Sequence, residues 1–188
     1  VVLPNTAPEV IVYDTARANV RATQSPKGYW SLFRTDAVGR DSVVLTPTDT
    51  VSARDSTLMQ AAAVMTSYAY DFMDRPDTVT TVASPMNSAP TQTTVVASTF
   101  DPNGNLTAVT RTGASVGTLS TSSTYDRANR RTIDVATDGK ATTTGYDAAG
   151  NPTKVTTRRG YAITNTYTAL NQLAQRTVPA ATYTATWT

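Results

Sequence analysis

Short stretches of alternating apolar and polar residues recur along this chain and predict β-strands. In the run Tyr161–Tyr167, Tyr161, Ile163 and Tyr167 fall on one face of an extended segment. Val and Thr, which favour strands, dominate several other runs. These further predicted strands are residues 79–83, 93–99 and 153–157. Between them lie Gly, Asn and Asp, so the pattern predicts consecutive β-hairpins.

Two segments depart from this alternation. The run 58–65 is rich in Ala and permits a helical turn, but it is short and continues into the strand-like run 66–70. The sequence leaves helix and strand open there. Residues 84–90 contain Pro, Asn and Ser and are predicted to form a loop.

An aromatic residue followed by Asp recurs at a regular distance. The clearest copies are Phe100–Asn105, Tyr125–Arg130 and Tyr146–Asn151. Successive repeat starts are 22, 35, 30, 25, 21 and 21 residues apart, which indicates a period of about 21 with insertions in the first half. The repeat starts are Tyr13, Thr35, Tyr70, Phe100, Tyr125, Tyr146 and Tyr167.

Each repeat contains the side chains that a hairpin requires. The aromatic residue ends a strand and buries ring area, and the Asp after it accepts N–H bonds in the turn. Gly or Asn at the fourth position after the aromatic supplies a positive φ. The positions predicted to be structural are Tyr13, Asp14, Asp36, Gly39, Arg40, Tyr70, Asp71, Arg75, Phe100, Asp101, Gly104, Asn105, Tyr125, Asp126, Arg130, Tyr146, Asp147, Gly150, Asn151 and Tyr167.

The amino-acid composition excludes several classes of function. The 188 residues include no Cys and no His, which excludes Ser-His-Asp and Cys-His catalysis and Cys-based metal sites within this sequence. Sixteen Lys and Arg balance 14 Asp and Glu, and the basic pairs are isolated, so nucleic-acid binding is not expected. Thr accounts for 38 residues, which again favours strands. No apolar run is long enough to span a membrane.

Some residues admit a chemical interpretation beside the structural one. Asp71 with Asp74, or Asp36 with Asp41, has the carboxylate pairing of an aspartic dyad, yet turn positions explain all four. Oxygen ligands at Asp101, Asn103 and Asn105 resemble the start of a calcium loop, but no acidic residue closes it. Tyr29, Trp30 and Trp187 could stack on sugar rings, and packing on the sheet is the simpler interpretation. We expect no cofactor, metal or catalytic residue.

The units resemble the YD repeats of the Rhs and teneurin-like proteins. That signature is an aromatic–Asp pair followed by Gly-Arg or Gly-Asn and a short Val/Thr strand; the segment Tyr146–Asn151 fits closely. Tyr70–Arg75 and Tyr125–Arg130 fit with Asp or Asn in place of Gly. The resemblance extends over residues 10 to 180, so residues 1–188 are expected to be a single repeat region of a larger polypeptide.

The resemblance implies a long antiparallel sheet that spirals into a β-cocoon or extends as a fibre. Bacterial members enclose a toxin carried at the C-terminal end of the same chain, and other members are surface proteins of contact and adhesion. We therefore expect a non-enzymatic segment of a secreted or cell-surface bacterial protein, with the remaining polypeptide as its partner. The alternative is a fibre or adhesion module that binds carbohydrate or a partner cell.

Overall fold

The computed structural model describes residues 10–13, 19–25, 29–47, 63–83 and 91–179. Within these ranges the regular elements are all β-strands. They are β1 (Val10–Tyr13), β2 (Val20–Gln24), β3 (Trp30–Thr35), β4 (Asp41–Pro47), β5 (Ala63–Tyr70), β6 (Pro76–Ala83), β7 (Gln92–Phe100), β8 (Leu106–Gly113), β9 (Gly117–Tyr125), β10 (Arg131–Val135), β11 (Ala141–Tyr146), β12 (Pro152–Thr156), β13 (Ala162–Tyr167) and β14 (Leu173–Thr177).

Strands that follow one another in sequence are neighbours in the sheet, from β1 through to β14. The pairing is antiparallel, as in β5 with β6 and β11 with β12. Antiparallel neighbours need only a short turn between them. The predicted all-β fold of repeated hairpins is confirmed.

The chain divides into two compact units. The N-terminal unit comprises Val1–Ser98 and Thr110–Leu119, and the C-terminal unit comprises Thr99–Val109 and Ser120–Thr188. In the N-terminal unit, β5 and β6 pair from Val64 opposite Ala83 to Tyr70 opposite Pro76. In the C-terminal unit, β11 pairs with β12 from Thr143 opposite Thr156 to Tyr146 opposite Pro152.

A β-bulge marks the aromatic position of the repeats. Tyr146 lies opposite Pro152 while Gly145 lies opposite Lys154, so Thr153 is the extra residue. Its hydroxyl donates to the Gly145 carbonyl at 3.3 Å. A bulge increases local twist and redirects the adjacent side chains. The same register shift occurs at Tyr13, Thr35, Tyr70, Tyr125 and Tyr167.

Few of the described side chains in either unit are fully buried. Among the described residues, Ala22 is the buried apolar side chain and Asn165 the buried polar one, each 7% exposed. Tyr13 is 54% exposed, so its ring does not lie on a covered inner face. The other repeat aromatics are half-buried: Tyr70, Phe100, Tyr125, Tyr146 and Tyr167. Lateral bonding between strands therefore carries much of the organisation.

Two sequence predictions are refined by the structure. Residues 63–65 of the Ala-rich run belong to β5, whereas 58–62 lie outside the described residues. Tyr161 was expected to begin a strand, but it closes a turn and β13 begins one residue later, because Gly160 has a positive φ of 83°. The predicted loop at 84–90, Asp14 and Trp187 lie outside the described residues.

In the described part of the chain, no helix has the length and apolar character needed to cross a membrane.

Candidate functional site: the repeat turns

The repeat turn is a five-residue segment with the same backbone bonds in each described copy. In the Asp147 turn, the Gly150 N–H donates to the Asp147 carbonyl at 3.1 Å, and the Asp147 N–H donates to the Asn151 carbonyl at 3.0 Å. This pair of bonds defines a three-residue hairpin loop, a type I turn followed by a bulge residue. The same two bonds close the turns 36–40, 71–75, 101–105, 126–130 and 168–172.

The Asp side chain organises the turn from inside. Oδ1 of Asp126 accepts the backbone N–H groups of Ala128 at 2.9 Å and Arg130 at 3.0 Å. Its Oδ2 accepts the Arg130 Nε–H at 2.7 Å. Both carboxylate oxygens are thus occupied within five residues, which favours the turn over other local conformations.

Hydrogen bonding lowers the pKa of these carboxyl groups, because it stabilises the charged form. The Arg130 backbone N–H is the main cause of the lowered pKa of Asp126. For Asp147 the main cause is the Asn151 side-chain amide, which donates at 3.0 Å. The pKa values of Asp36, Asp71 and Asp101 are lowered as well.

A positive φ is present at the fourth residue after the repeat start in each copy whose turn is described. Gly39, Gly104 and Gly150 have φ values of 94°, 88° and 94°. Where Gly is absent, Asp or Asn takes the same region, which these residues tolerate better than most. These residues are Asp74 at 62°, Asn129 at 60° and Asn171 at 61°.

Side chains connect each turn to the next within a unit. Asn105 donates to Asn129 Oδ1 at 2.9 Å, and Asn151 donates to Asn171 Oδ1 at 3.0 Å. The Arg40 guanidinium donates in the same way to the Asp74 carboxylate. In each case, the residue five after one repeat start bonds to the positive-φ residue of the following turn.

Gly150 has no side chain to accept such a bond, and the contact changes accordingly. Arg130 donates instead to the Asp147 carbonyl at 3.0 Å. Its guanidinium also lies over the Tyr146 ring, 4.6 Å from the ring centroid, in a cation–π contact. Arg40 stacks on Tyr70 at 4.3 Å in the N-terminal unit.

The repeat tyrosines form a second series of bonds between turns. Tyr146 donates its hydroxyl to the Arg131 carbonyl at 2.8 Å, and Tyr167 donates to the Pro152 carbonyl at 3.1 Å. The acceptor is the first strand residue after the preceding turn. The Tyr125 hydroxyl donates to the Leu106 carbonyl at 3.0 Å, and the Tyr70 hydroxyl donates to the Asp41 carbonyl at 2.7 Å. Each hydroxyl therefore fixes its ring against the previous hairpin.

Two repeats depart from the pattern in sequence or in strand register. Thr168 replaces the Asp, and its Oγ1 accepts the Leu170 and Gln172 N–H groups at 3.3 and 3.2 Å. In the first repeat, Tyr13 lies opposite Val20, seven residues later, instead of the usual six. The sequence alignment placed Ala18 at the fifth position after Tyr13. Asn19 occupies the corresponding place, next to Gly39 as Arg130 is next to Gly150.

Sequence reasoning missed the turns at the opposite ends of the strands. Residues 136–140 and 157–161 form the same five-residue loop, with Gly139 and Gly160 at positive φ. Thr157 Oγ1 accepts the Tyr161 N–H at 3.2 Å, a weaker form of the Asp bond. The sequence does contain a signal for these two turns. Gly139 and Gly160 each lie three residues after the first residue of their turn. One period of 21 thus contains two similar turns.

In two of the chemical alternatives, the Asp71–Asp74 dyad and the calcium loop at Asp101, the carboxylates are engaged by neighbouring side chains and turn N–H groups. Asp71 bonds to Arg75 at 2.7 Å, and Asp74 accepts from Arg40. The Asp101 carboxylate accepts the Asn103 backbone N–H and the Asn105 side-chain amide of its own turn. The described residues contain no group of three or more acidic side chains placed to hold a metal ion.

Residues 146–183 match the family described as RHS Repeat. This part of the chain is therefore similar to RHS repeats. The matched RHS segment contains the Tyr146 and Tyr167 turns together with the bonds that join them, from Tyr167 to Pro152 and from Asn151 to Asn171. Comparison with curated proteins gives no match.

Comparison with solved structures gives low-identity similarities. A crystal structure of TcdB2-TccC3-TEV is 14% identical, with 93% of this chain and 10% of that chain covered and a TM-score of 0.46. The Photorhabdus luminescens Tc holotoxin pore is 14% identical, with 85% and 9% covered and a TM-score of 0.40. TcdB2-TccC3-Cdc42 is 10% identical, with 95% and 12% covered and a TM-score of 0.42. The chain spans 9 to 12% of the length of these solved chains.

Proposed function

We propose that this chain is a non-enzymatic structural segment of a large secreted or cell-surface bacterial protein. In this proposal residues 1–188 form one repeat region, with further repeats on the same polypeptide, and the sheet builds a shell around a C-terminal toxin. The RHS repeat at 146–183 supports the structural role.

The series of bonds between consecutive turns carries the proposal. The Tyr hydroxyls and the Arg and Asn side chains that link turns within a unit bond to the adjacent hairpin, as Tyr146 bonds to Arg131 and Asn151 to Asn171. A wall built in this way can be lengthened by one hairpin at a time, since each repeat contacts its nearest neighbours. The half-buried, Thr-rich strands stay soluble through polarity while giving the backbone lateral partners.

Electron microscopy of the intact parent protein from its native source tests whether the sheet closes into a shell. A closed hollow particle with density inside supports enclosure of a C-terminal domain. An elongated filament or an open sheet without internal density contradicts it. Limited proteolysis of the same particles adds a check, because an enclosed domain resists cleavage until the wall is opened.

A second function, adhesion to carbohydrate or to a partner cell surface, is favoured by the tips of two adjacent turns. Phe72 is 91% exposed and Val38 is 74% exposed, and their turns are joined by the Arg40–Asp74 contact. Exposed apolar side chains at adjacent turn tips offer contact area to a partner. Binding of the intact protein to host cells should fall in F72S and persist in the matched turn-tip variant R127S. Equal binding by both variants contradicts adhesion through these tips.

A further inference from the structure

The second repeat has lost the aromatic ring that the other described repeats keep. Its aromatic position is Thr35, which forms the usual β-bulge opposite Asp41. In the later repeats a tyrosine at this position donates to the first strand residue after the preceding turn, as Tyr70 does to Asp41 and Tyr146 to Arg131. Thr35 is too short to reach that far.

The corresponding acceptor position for the second repeat is Val20. Val20 lies opposite Tyr13 just as Arg131 lies opposite Tyr125 and Pro152 opposite Tyr146. Thr35 bonds instead to the Asn19 side chain, whose Nδ2 donates to Thr35 Oγ1 at 3.2 Å.

A surface hollow lies beside Thr35, at the position where the later repeats carry an aromatic residue. It is lined by Asn19, Val20, Phe33, Thr35, Gly39 and Asp41. Phe33 and Val20 supply an apolar floor, while Asn19 and Asp41 supply polar groups at the margin. The lining therefore matches a flat apolar ring that carries one hydroxyl.

We propose that this hollow binds a phenolic ring, namely a tyrosine side chain presented by a protein partner. The ring would rest against Phe33 and Val20, and its hydroxyl would donate at the strand start, as the chain's own tyrosines do elsewhere. The inference goes beyond the proposed wall, because it assigns a docking position to one repeat only.

The probe for this site is p-cresol, the side-chain analogue of tyrosine, titrated into the intact protein and followed by NMR. Saturable shifts are expected at the amides of Asn19, Val20, Phe33 and Thr35, with no shift around Tyr70, where the chain's own ring fills the equivalent place. Toluene should bind about fivefold more weakly, because it cannot donate the hydrogen bond. Equal binding of toluene, or shifts spread over the repeats without saturation, would overturn the proposal.

The matched variants are T35Y and T35V. T35Y should fill the hollow with the chain's own ring and abolish the p-cresol shifts, whereas T35V leaves the space open and should retain them. Unchanged p-cresol binding by T35Y contradicts the assignment. If T35Y does not fold, the toluene comparison and the map of shifts on the wild-type protein decide the question by themselves.

Discussion

At the scale of single residues, the repeat turn depends on two side-chain choices three positions apart. Asp126 accepts two backbone N–H groups and the Arg130 side chain, and Asn129 adopts a φ of 60°. These features could be predicted from the sequence, because every atom involved lies within five consecutive residues. Turn chemistry of this kind needs no knowledge of distant contacts.

Replacing Gly150 tests the need for positive φ. G150V should lower the free energy of unfolding by about 1–3 kcal/mol, because a β-branched residue is strained at a φ of 94°. G150N is the matched control, since Asn occupies the same place at positions 129 and 171. Urea unfolding measures both variants. Equal stability of G150V and G150N would contradict the assigned backbone role.

Acidification tests the turn aspartates. The pKa of Asp147 is lowered by the Asn151 side chain and backbone, and those of Asp101 and Asp126 are lowered by their own turns. A lowered folded-state pKa stabilises the fold above the unfolded value of about 3.9, and this stabilisation is lost as the pH falls through the folded-state pKa. The free energy of unfolding should thus be nearly constant from pH 7 to 5 and should decline below about pH 4.

The variant D147N identifies the source of this decline. It removes one titrating carboxyl group while keeping an acceptor oxygen, so its unfolding free energy should fall less steeply with acid than that of the wild type. Thermal melts of both proteins between pH 3 and 7 give the comparison. Parallel curves would mean that Asp147 does not contribute to the acid sensitivity.

At the scale of elements, consecutive hairpins recognise each other through residues that are far apart in sequence. Arg130 reaches Asp147 and the Tyr146 ring, and Tyr167 reaches Pro152. The sequence indicated that Arg, Asn and Tyr recur, but not which atoms they meet, because those partners lie in the next repeat. The sequence alignment assigned Ala18 to the place that Asn19 occupies. This one-residue offset was not predictable either, because it depends on strand register.

Arg130 provides a test of the contact between two hairpins. R130K keeps the charge but loses the planar donors that bond Asp126 and Asp147 and stack on Tyr146, so we expect a loss of about 1 kcal/mol. R127K changes an exposed turn residue in the same repeat and should lie within about 0.5 kcal/mol of the wild type. Chemical denaturation distinguishes them, and equal stabilities would mean that the Arg130 contacts are not stabilising.

At the scale of the whole molecule, the alternation and the abundance of Thr were sufficient to predict an all-β sheet of hairpins. The extent of burial was not predictable in the same way. Tyr13 and Tyr161 lie largely exposed although both are aromatic, because exposure depends on which strands pack nearby. The division into two compact units also leaves no local mark on the sequence.

The central claim is that bonds between adjacent repeats hold the structure, in place of a shared core. Native-state hydrogen exchange on the wild type and R130A tests this most directly, because it reports local opening residue by residue. We predict that protection falls in the turns 126–130 and 147–151 and in the strands beside them, while β5 and β6 keep their protection. A uniform loss of protection over all strands would contradict the account, since it would mean that the chain opens as one cooperative core.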